Sequence, residues 1–559
     1  MDDGHLEALA GMVRTRFNRR TFLGTAIAGS GALAVAACGE ASPSSGDAIP
    51  PPSKTPPDVA AISSTAITDQ HVQQAVDALD GLASELLQST GVPGMAIAVV
   101  HNDKVVYAKG FGVRKVGTSQ RVNADTVFEL ASTSKPIAAS VVAGAIAQKV
   151  VSWSDPVVSY LPSFALSDPW VTQHVTIGDL FAHRSGLPDH SGDLTEDLGY
   201  DQATIIQRLR YYPLDRFRDS YAYSNFGLTT AALAVAAAKK LSFQDLCQQI
   251  LFGPLGMSST STLYADYQAR SNVAAIHVRP GLTSGPWEAK YTRDADAQAP
   301  AGGISSNVND MALWMRLILA SGTFQGKELL DADALLESHT PQIVNRPPAE
   351  PADRAGSYGF GSNVAVDDTG RVRFSHAGAF ALGVSTNVVF LPSASLGIVA
   401  LTNGMPIGVP EGLGQSFMDI VELGKVQQDW QPLLWDKVFK NFYVNPSPLA
   451  GKTAPVNPTP AGPANAYTGT YTNDLYGPAT ITGSTSGNLM LQLGPKPMAF
   501  PLNHWDGDTF SYEPTGENAL GITAVVFTIG SGGTATSVNI GNFNGQNPLT
   551  QNLGVFVRS

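Results

Sequence analysis

Apolar residues recur along the chain with two different periods, and these predict two kinds of element. The spacing of one helical face, three or four residues, separates the apolar positions of residues 69–87, which are Val72, Val76, Leu79, Leu82 and Leu86. Residues 95–100 and 105–110 are apolar runs on either side of the polar stretch 101–104, which predicts a β-hairpin. The amino-terminal part of the pattern therefore predicts a helix followed by a hairpin.

The next strong signal is an Ala- and Val-rich stretch that predicts a helix over residues 132–147. Pro136 is compatible with this helix because a proline in the first turn lacks only an N–H group that has no partner there. The same reasoning predicts helices over residues 229–240, 310–320 and 418–423, and strands over 384–391 and 397–403.

The composition changes after the last of these elements. Six prolines between positions 446 and 463 predict a linker over residues 441–465. Beyond it, short β-forming runs at 467–471, 479–482, 489–493 and 524–528 are separated by Gly, Pro and Asn, which predicts a small antiparallel β domain over residues 466–559. Because small barrels are usually filled by their own side chains, we expect a lid or assembly role rather than ligand binding.

The amino-terminal segment has the pattern of an export signal. Arg19 and Arg20 precede an apolar stretch over residues 24–37 and resemble a twin-arginine signal, with Met12 as an alternative start. The stretch ends in Val-Ala-Ala-Cys, which resembles a lipobox in which Cys38 is lipidated after removal of residues 1–37. Its 14 residues fall short of the ~20 that a spanning helix needs. We expect a Pro/Ser-rich tether over 38–60 and a bacterial periplasmic or cell-surface lipoprotein, attached to the membrane only through Cys38.

Composition and charge fit a large exported globular protein. The 559 residues are 43% hydrophobic and 15% charged, enough for a sizeable core and two or three domains. A net charge of −12 without a basic cluster argues against nucleic acid as a partner. Two cysteines give no disulfide framework, and Cys247 is predicted to be a small buried residue on a helix.

Ser132-Thr133-Ser134-Lys135 is the candidate for chemistry, since it puts a nucleophile and an amine one helical turn apart. A serine at the first turn of a helix lies near the positive end of the macrodipole, and a lysine three residues later is close enough to take its proton. The alternative is a serine that only caps the helix and a lysine that only faces solvent.

Two further motifs follow in chain order, Tyr223-Ser224-Asn225 and His376-Ala377-Gly378. Together with Ser-x-x-Lys they resemble the penicillin-recognising serine hydrolases, most closely the class C β-lactamase and D,D-peptidase branch. The resemblance extends over about residues 68–425 and includes the segments 180–187, 301–306 and 396–403.

The resemblance implies an α+β fold: an antiparallel sheet flanked by helices plus an all-helical lobe, over residues 61–440, followed by a lipocalin-like barrel. It also implies roles for the motif residues. Ser132 is the nucleophile, while Lys135 and Tyr223 compete for the role of general base, or share the proton as a coupled pair. The backbone N–H groups of Ser132 and Ala379 form the oxyanion hole, beside Gly378, and Asn225 orients Lys135 and donates to a substrate amide.

The third motif departs from the Lys-Thr-Gly of most penicillin-binding enzymes. His376 is expected to be neutral at pH 7, and Ala377 has no hydroxyl for a substrate carboxylate. We therefore favour an esterase, amidase or D-stereospecific peptidase that acts on a small peptide, ester or β-lactam-like substrate. A class C-like β-lactamase or D,D-carboxypeptidase is the alternative.

A non-catalytic penicillin or peptidoglycan sensor is a second alternative, but the chain keeps both Lys135 and Tyr223. His183, His190 and Asp189 are interpreted as loop and packing residues rather than as a metal site. We expect no cofactor, because the sequence contains no phosphate loop or dinucleotide fingerprint, and the pattern leaves the oligomeric state open.

Overall fold

The structure is a computed structural model that describes residues 66–483 and 488–559. The predicted signal, the lipidation site Cys38 and the predicted tether lie outside the described residues.

A large antiparallel sheet organises the first part of the described chain. Its strands run in the order β2-β1-β12-β11-β10-β9-β8-β7, and every neighbouring pair is antiparallel. Two short pairs, β3 with β4 and β5 with β6, lie outside it. The strands are β1 (Gly94–His101), β2 (Lys104–Gly112), β3 (Phe128–Glu129), β4 (Ser305–Ser306), β5 (Thr323–Phe324), β6 (Lys327–Glu328), β7 (Ile343–Arg346), β8 (Gly356–Tyr358), β9 (Asn363–Val366), β10 (Val372–Phe380), β11 (Val384–Leu391) and β12 (Leu396–Thr402).

Helices cover both faces of this sheet. They are α1 (Asp69–Thr90), α2 (Ser134–Ala147), α3 (Pro169–His174), α4 (Ile177–Phe181), α5 (Asp193–Asp197), α6 (Gln202–Arg208), α7 (Asn225–Lys239), α8 (Phe243–Cys247), α9 (Gly253–Leu255), α10 (Tyr264–Ala269), α11 (Val308–Leu319), α12 (Ala332–Ser338), α13 (Val409–Leu423) and α14 (Trp430–Lys437). Helices α3 to α10 form the lobe between β3 and β4.

Alternation along β1 shows how the sheet separates two cores. Met95, Ile97 and Val99 pack under α1 and α13, whereas the intervening Ala96 and Ala98 face the core that contains α2 and α11. Every residue of β11 and β12 is buried, because both faces of the central strands are covered. Burying one such aliphatic side chain contributes about 1.5–3 kcal/mol.

The predicted elements agree with the observed ones in type. The strand over 384–391 is found with the predicted bounds, and the helix predicted over 69–87 extends to Thr90, where Gly91 ends it at φ +70°. Cys247 is fully buried at the end of α8, as predicted.

The beginning of the catalytic helix was predicted two residues too early. Regular α-helix begins at Ser134, and Ser132 lies in the preceding 3₁₀ turn Ala131–Thr133. Ala131 has a left-handed φ of +47°, and the N–H groups of Thr133 and Ser134 bond to the carbonyls of Leu130 and Ala131, three residues back, which is the 3₁₀ pattern.

A second domain follows the proline-rich segment. Among the described residues, eight antiparallel strands close into a barrel through the pairing of the first with the last. Alternate residues point inward, and the interior is filled by aromatic and aliphatic side chains such as Tyr471, Leu491 and Phe527. The strands are β13 (Gly469–Asn473), β14 (Gly477–Gly483), β15 (Leu489–Leu493), β16 (Met498–Asp506), β17 (Thr509–Tyr512), β18 (Thr523–Ile529), β19 (Ala535–Ile540) and β20 (Val555–Arg558). The predicted α+β fold with a small carboxy-terminal barrel is confirmed.

Over residues 66–483 and 488–559, no single helix meets the length and apolarity required to cross a bilayer. A pair of helical segments, Asn225–Lys239 with Phe243–Leu255, meets both only when taken together, and it is bent by 77°.

Candidate active site

The nucleophile candidate stands on a strained and tightly held turn. Leu130 donates its N–H to the Ile304 carbonyl at 2.9 Å, and its own carbonyl accepts the Thr386 hydroxyl at 2.7 Å. These bonds hold Ala131 in its left-handed conformation, which costs a non-glycine residue of order 1 kcal/mol or more. The turn presents Ser132 half-buried at the wall of a cavity.

Lys135 is completely buried one turn further along. Its Nζ lies 3.0 Å from Ser132 Oγ, 2.7 Å from Asn225 Oδ1 and 2.9 Å from the Ala301 carbonyl oxygen. Burial lowers the pKa of Lys135 well below its ordinary value, although the Asp193 carboxylate opposes this shift. A neutral amine has two N–H donors and one lone pair. The two carbonyl-type oxygens take the donors, which leaves the lone pair for the Ser132 hydroxyl.

Tyr223 contacts the same hydroxyl. Its phenol donates to Ser132 Oγ at 2.8 Å, and Lys135 Nζ lies 4.5 Å from the centre of its ring. Burial raises the pKa of Tyr223, so the phenol keeps its proton at neutral pH. Ser132 is therefore bonded to a protonated phenol and to an amine whose burial favours the neutral form.

The N-cap of α7 determines where Tyr223 and Asn225 lie. Ser224 accepts the Gly227 N–H at 3.0 Å, so the chain is extended at the cap and helical from Asn225 onward. Buried His183 accepts the Ser224 N–H at 3.2 Å and packs its ring 4.5 Å from that of Tyr223. The structure thus gives His183 a packing and positioning place beside the site.

Asp193 is a neighbour of the site that the motifs did not reveal. Its Oδ2 accepts the Asn225 side-chain amide at 2.9 Å and His190 Nδ1 at 2.8 Å, and only 5% of the residue is exposed. The side chain of His190 is 45% exposed, and partial desolvation lowers its pKa, but Asp189 and Asp193 raise it to about 9. His190 is therefore a cation at pH 7, and Asp193 fixes the amide orientation that turns Asn225 Oδ1 toward Lys135.

His376, which the resemblance implies is part of the substrate-binding site, is buried in the structure. The residue is fully buried and is not among the residues lining the cavity that contains Ser132. Its Nδ1 lies 2.7 Å from the Ala377 carbonyl and donates to it, so Nε2 accepts the Tyr358 hydroxyl at 2.9 Å. Burial and nearby Lys135 lower the pKa of His376 to about 3, so it is neutral, as the sequence analysis expected.

Gly378 and Ala379 have different surroundings on β10. A Cβ on Gly378 would lie 2.2 Å from the Leu130 carbonyl oxygen and 2.3 Å from Thr386 Oγ1, so only glycine lets the strand approach the nucleophile turn. Gly378 is buried and does not line the cavity. Ala379 does line it, on the same wall as Ser132.

The cavity in front of Ser132 has a volume of about 550 Å³ and two walls from different domains. The inner wall carries Ser132, Tyr223, Asn225 and Ala379. The outer wall comes from loops of the barrel, namely Glu517, Asn518, Leu520, Phe543, Asn544, Gly545, Gln546, Asn547, Thr550 and Leu553. Sequence reasoning missed this wall, because the barrel begins more than three hundred residues after Ser132 and its loops carry no recognisable motif.

The described residues contain no group of three or more His, Cys, Asp or Glu side chains arranged to hold a metal ion.

The comparisons with known proteins agree on one family. A family model described as Beta-lactamase matches residues 72–415, and one described as a domain of unknown function, DUF3471, matches residues 453–551.

Individual relatives are distant in sequence. The unguisins hydrolase of Aspergillus violaceofuscus is 25% identical over 496 residues, which cover 82% of this chain and 86% of that protein. The D-alanyl-D-alanine-carboxypeptidase/endopeptidase AmpH of Escherichia coli is 22% identical over 374 residues, 65% of this chain and 94% of that protein. The octameric penicillin-binding protein homologue from Pyrococcus abyssi superposes with a TM-score of 0.55 at 16% identity, covering 83% of this chain and 98% of that one, which shows a shared fold.

Proposed function

The chain belongs to the beta-lactamase family and is a serine hydrolase, and from this we propose that it cleaves amide or ester bonds through an acyl-enzyme on Ser132. The observation that carries the proposal is the pair of contacts at Ser132 Oγ: a buried amine at 3.0 Å and a phenol at 2.8 Å. A serine needs an adjacent base to become a nucleophile, and the buried amine is one.

In the proposed first step, Ser132 Oγ attacks the acyl carbon and its proton passes to the lone pair of Lys135. The bond from the acyl carbon to the leaving nitrogen or oxygen then breaks. The leaving atom receives a proton from the Tyr223 hydroxyl, which Lys135 replaces. A water molecule attacks the acyl-enzyme by the same route and releases the acid, so both steps use the same groups.

Charge on the acyl oxygen develops beside Ser132 and Ala379. We propose that their backbone N–H groups stabilise it, and two features support this: both residues line one wall of the cavity, and Gly378 lets β10 contact the nucleophile turn. Asn225 is proposed to hold Lys135. Of its two side-chain N–H groups, one is taken by Asp193 and the other is the candidate donor to a substrate amide.

We propose neutral esters and peptide amides, including D-amino acid amides, as the preferred substrates. The family resemblance places His376 where relatives use a lysine, but here the side chain is buried, neutral and bonded to Tyr358. A carboxylate that approached this part of the site would find no charged donor from the motif. This argues against a dedicated β-lactamase or D,D-carboxypeptidase.

The test is a comparison of three substrates on one preparation: a p-nitrophenyl ester, a D-amino acid p-nitroanilide and a chromogenic cephalosporin. We expect kcat/KM for the cephalosporin to be the lowest of the three. If the cephalosporin is instead cleaved near 10⁶ M⁻¹s⁻¹, in the range of efficient enzymes, β-lactamase is the correct assignment. Stoichiometric acylation by all three without turnover would identify a sensor.

For the cellular location we propose export by the twin-arginine route and lipidation of Cys38, supported by the motifs at Arg19, Arg20 and Cys38. The lipidated protein is expected to enter the detergent phase on partitioning, and Cys38→Ser to remain unprocessed or be released. A mature chain that begins at another residue, found by peptide mapping, would refute this proposal.

A further inference from the structure

One loop of the barrel, between β17 and β18, contacts the strand turn beside the nucleophile. Glu517 accepts the Ala381 N–H at 2.5 Å and the Leu382 N–H at 3.4 Å. Ala381 and Leu382 form the turn that links β10 to β11, and Ala379 is only two residues away. A carboxylate of the second domain therefore holds the end of the strand that carries the proposed oxyanion donor.

The same loop also forms hydrogen bonds with the end of helix α5. Asp197 at the end of α5 accepts the Glu517 N–H at 3.0 Å, the Asn518 N–H at 2.9 Å and the Asn518 side-chain amide at 2.9 Å. Helix α5 begins with Asp193, the residue that orients Asn225. Gly516 makes this approach possible, since a Cβ there would lie 2.5 Å from Asp197 Cγ.

Arg293 compensates the buried charge of this contact. Its Nη2 lies 2.6 Å from Glu196 Oε2 and its Nε lies 3.9 Å from Glu517 Oε2, while the side chains of Arg293, Glu196 and Glu517 are only 7%, 8% and 15% exposed. The guanidinium also lies 4.9 Å from the centre of the Phe380 ring, next to Ala379. Burial raises the pKa of Glu517 to about 8, while Arg293 and the hydrogen bonds from Ala381 and Leu382 oppose this shift. These partners hold the Glu517 carboxyl group in one place in either protonation state.

We propose that Glu517 is a positioning residue for hydrolysis: by binding the turn after β10, it fixes the backbone N–H of Ala379 at the distance from Ser132 that the oxyanion requires. The inference rests on the proposed acyl-enzyme mechanism. Preorganised donors are effective because they do not reorient during the reaction, and displacements of about 1 Å have costs near 10²-fold. The barrel is thus a component of the catalytic geometry as well as an outer wall.

The test uses the full chain and the variants Glu517→Ala and Glu517→Gln, with Glu513→Gln as the matched control. Glu513 is a carboxylate of the same loop region, four residues earlier, but it is exposed. Each preparation is titrated with a fluorophosphonate so that kcat is expressed per reactive Ser132, and kcat and KM are measured with a small p-nitrophenyl ester that does not reach the barrel wall.

We expect kcat per titrated site to fall about 10-fold or more in Glu517→Ala, and less in Glu517→Gln, which keeps one acceptor oxygen. KM is expected to stay within about twofold of the wild-type value. An oxyanion donor assists both acylation and deacylation, so its displacement slows both steps and leaves the ratio of their rates, on which KM depends, little changed. Glu513→Gln is expected to equal the wild type.

A kcat per titrated site equal to the wild type in both Glu517 variants would overturn the proposal, and so would a rise in KM with unchanged kcat, which indicates a wall residue only. If Glu517→Ala does not fold, Glu517→Gln carries the same comparison. Failure of the acyl-enzyme mechanism itself is recognised separately, because the wild type would then show no titratable Ser132.

Discussion

At the scale of single residues, burial determines which group takes the proton in the proposed mechanism. Lys135 and Tyr223 have similar pKa values in water, and the sequence left open which of them is the base. In the structure both are buried, and burial disfavours the charged form of each: it lowers the pKa of the amine and raises that of the phenol. The neutral amine is then the acceptor, and the phenol is a donor.

This assignment predicts the pH dependence of kcat/KM. As the pH falls through the lowered pKa of Lys135, the amine gains a proton and loses the lone pair that activates Ser132, so activity is lost on the acid side. On the alkaline side, Lys135 stays neutral and Tyr223 stays protonated, so neither causes a loss between pH 7 and pH 9. A profile measured with a neutral ester from pH 4 to 10 tests this. An activity that first appears near the ordinary lysine pKa of 10.5 would contradict it.

Removing the phenol hydroxyl tests the second half of the assignment. Tyr223→Phe keeps the ring beside Lys135 but deletes the 2.8 Å bond to Ser132, and we expect kcat to fall about 10²-fold, as for loss of an acid-base group. The matched control is Tyr221→Phe, since Tyr221 stands two residues earlier and packs on His183. Equal kcat values for the two variants in a steady-state ester assay would show that Tyr223 is only a packing residue.

Site contacts between residues close in sequence were predictable, and those between residues distant in sequence were not. Ser132 and Lys135 meet because they are one turn apart. His376 is different: its motif matched, but its side chain lies under the site, because Tyr358 and the Ala377 carbonyl bind both ring nitrogens. Asp193 was missed because its contact with Asn225 joins the first residues of two separate helices, α5 and α7, and no sequence period reports such a contact.

At the scale of elements, the well-predicted pieces are those with a strong burial pattern. β11 and β12 are buried along their whole length and read as continuous apolar runs. The short helix α5 begins after Gly192 without a side-chain cap, and the strands β7 to β9 lie near the sheet edge. Such elements depend on tertiary contacts, which hydrophobic periodicity does not encode. The nucleophile turn belongs to this second class, because its strained Ala131 depends on the hydrogen bond that Thr386 of β11 donates to Leu130 and on the one that Leu130 donates to Ile304.

The barrel loop between β19 and β20 predicts a size-dependent effect. Gln546 is exposed at the outer wall of the cavity, so Gln546→Trp adds bulk there without burying a polar group. We expect a several-fold lower kcat/KM for a D-amino acid peptide anilide and an unchanged value for p-nitrophenyl acetate, which is too small to reach the wall. Exposed Asn488, on the β14–β15 side of the barrel, provides the control Asn488→Trp. If the ratio of kcat/KM for the anilide to kcat/KM for the acetate is the same in both variants, the barrel does not take part in substrate selection.

At the scale of the whole molecule, the two domains share one active site. The hydrolase domain carries the proposed reactive groups, and the barrel supplies the outer wall. Two carboxylate-mediated contacts join the domains, one through Glu517 of the barrel and one through Asp197 of the hydrolase domain. The sequence predicted both domains from their different periods. Their mutual placement was not predictable, because it depends on backbone N–H groups and on buried charges such as Arg293 that any loop sequence can contain.

The most direct test of the account is the intact mass of the protein after reaction with an activated ester or a fluorophosphonate. We predict one added acyl or phosphonyl group on the wild type, none on Ser132→Ala, and one on the control Ser134→Ala. Ser134 is a suitable control because its buried hydroxyl accepts the Ile304 N–H. Labelling that persists in Ser132→Ala, or that disappears only in another serine variant, would contradict the assignment of Ser132 as the nucleophile.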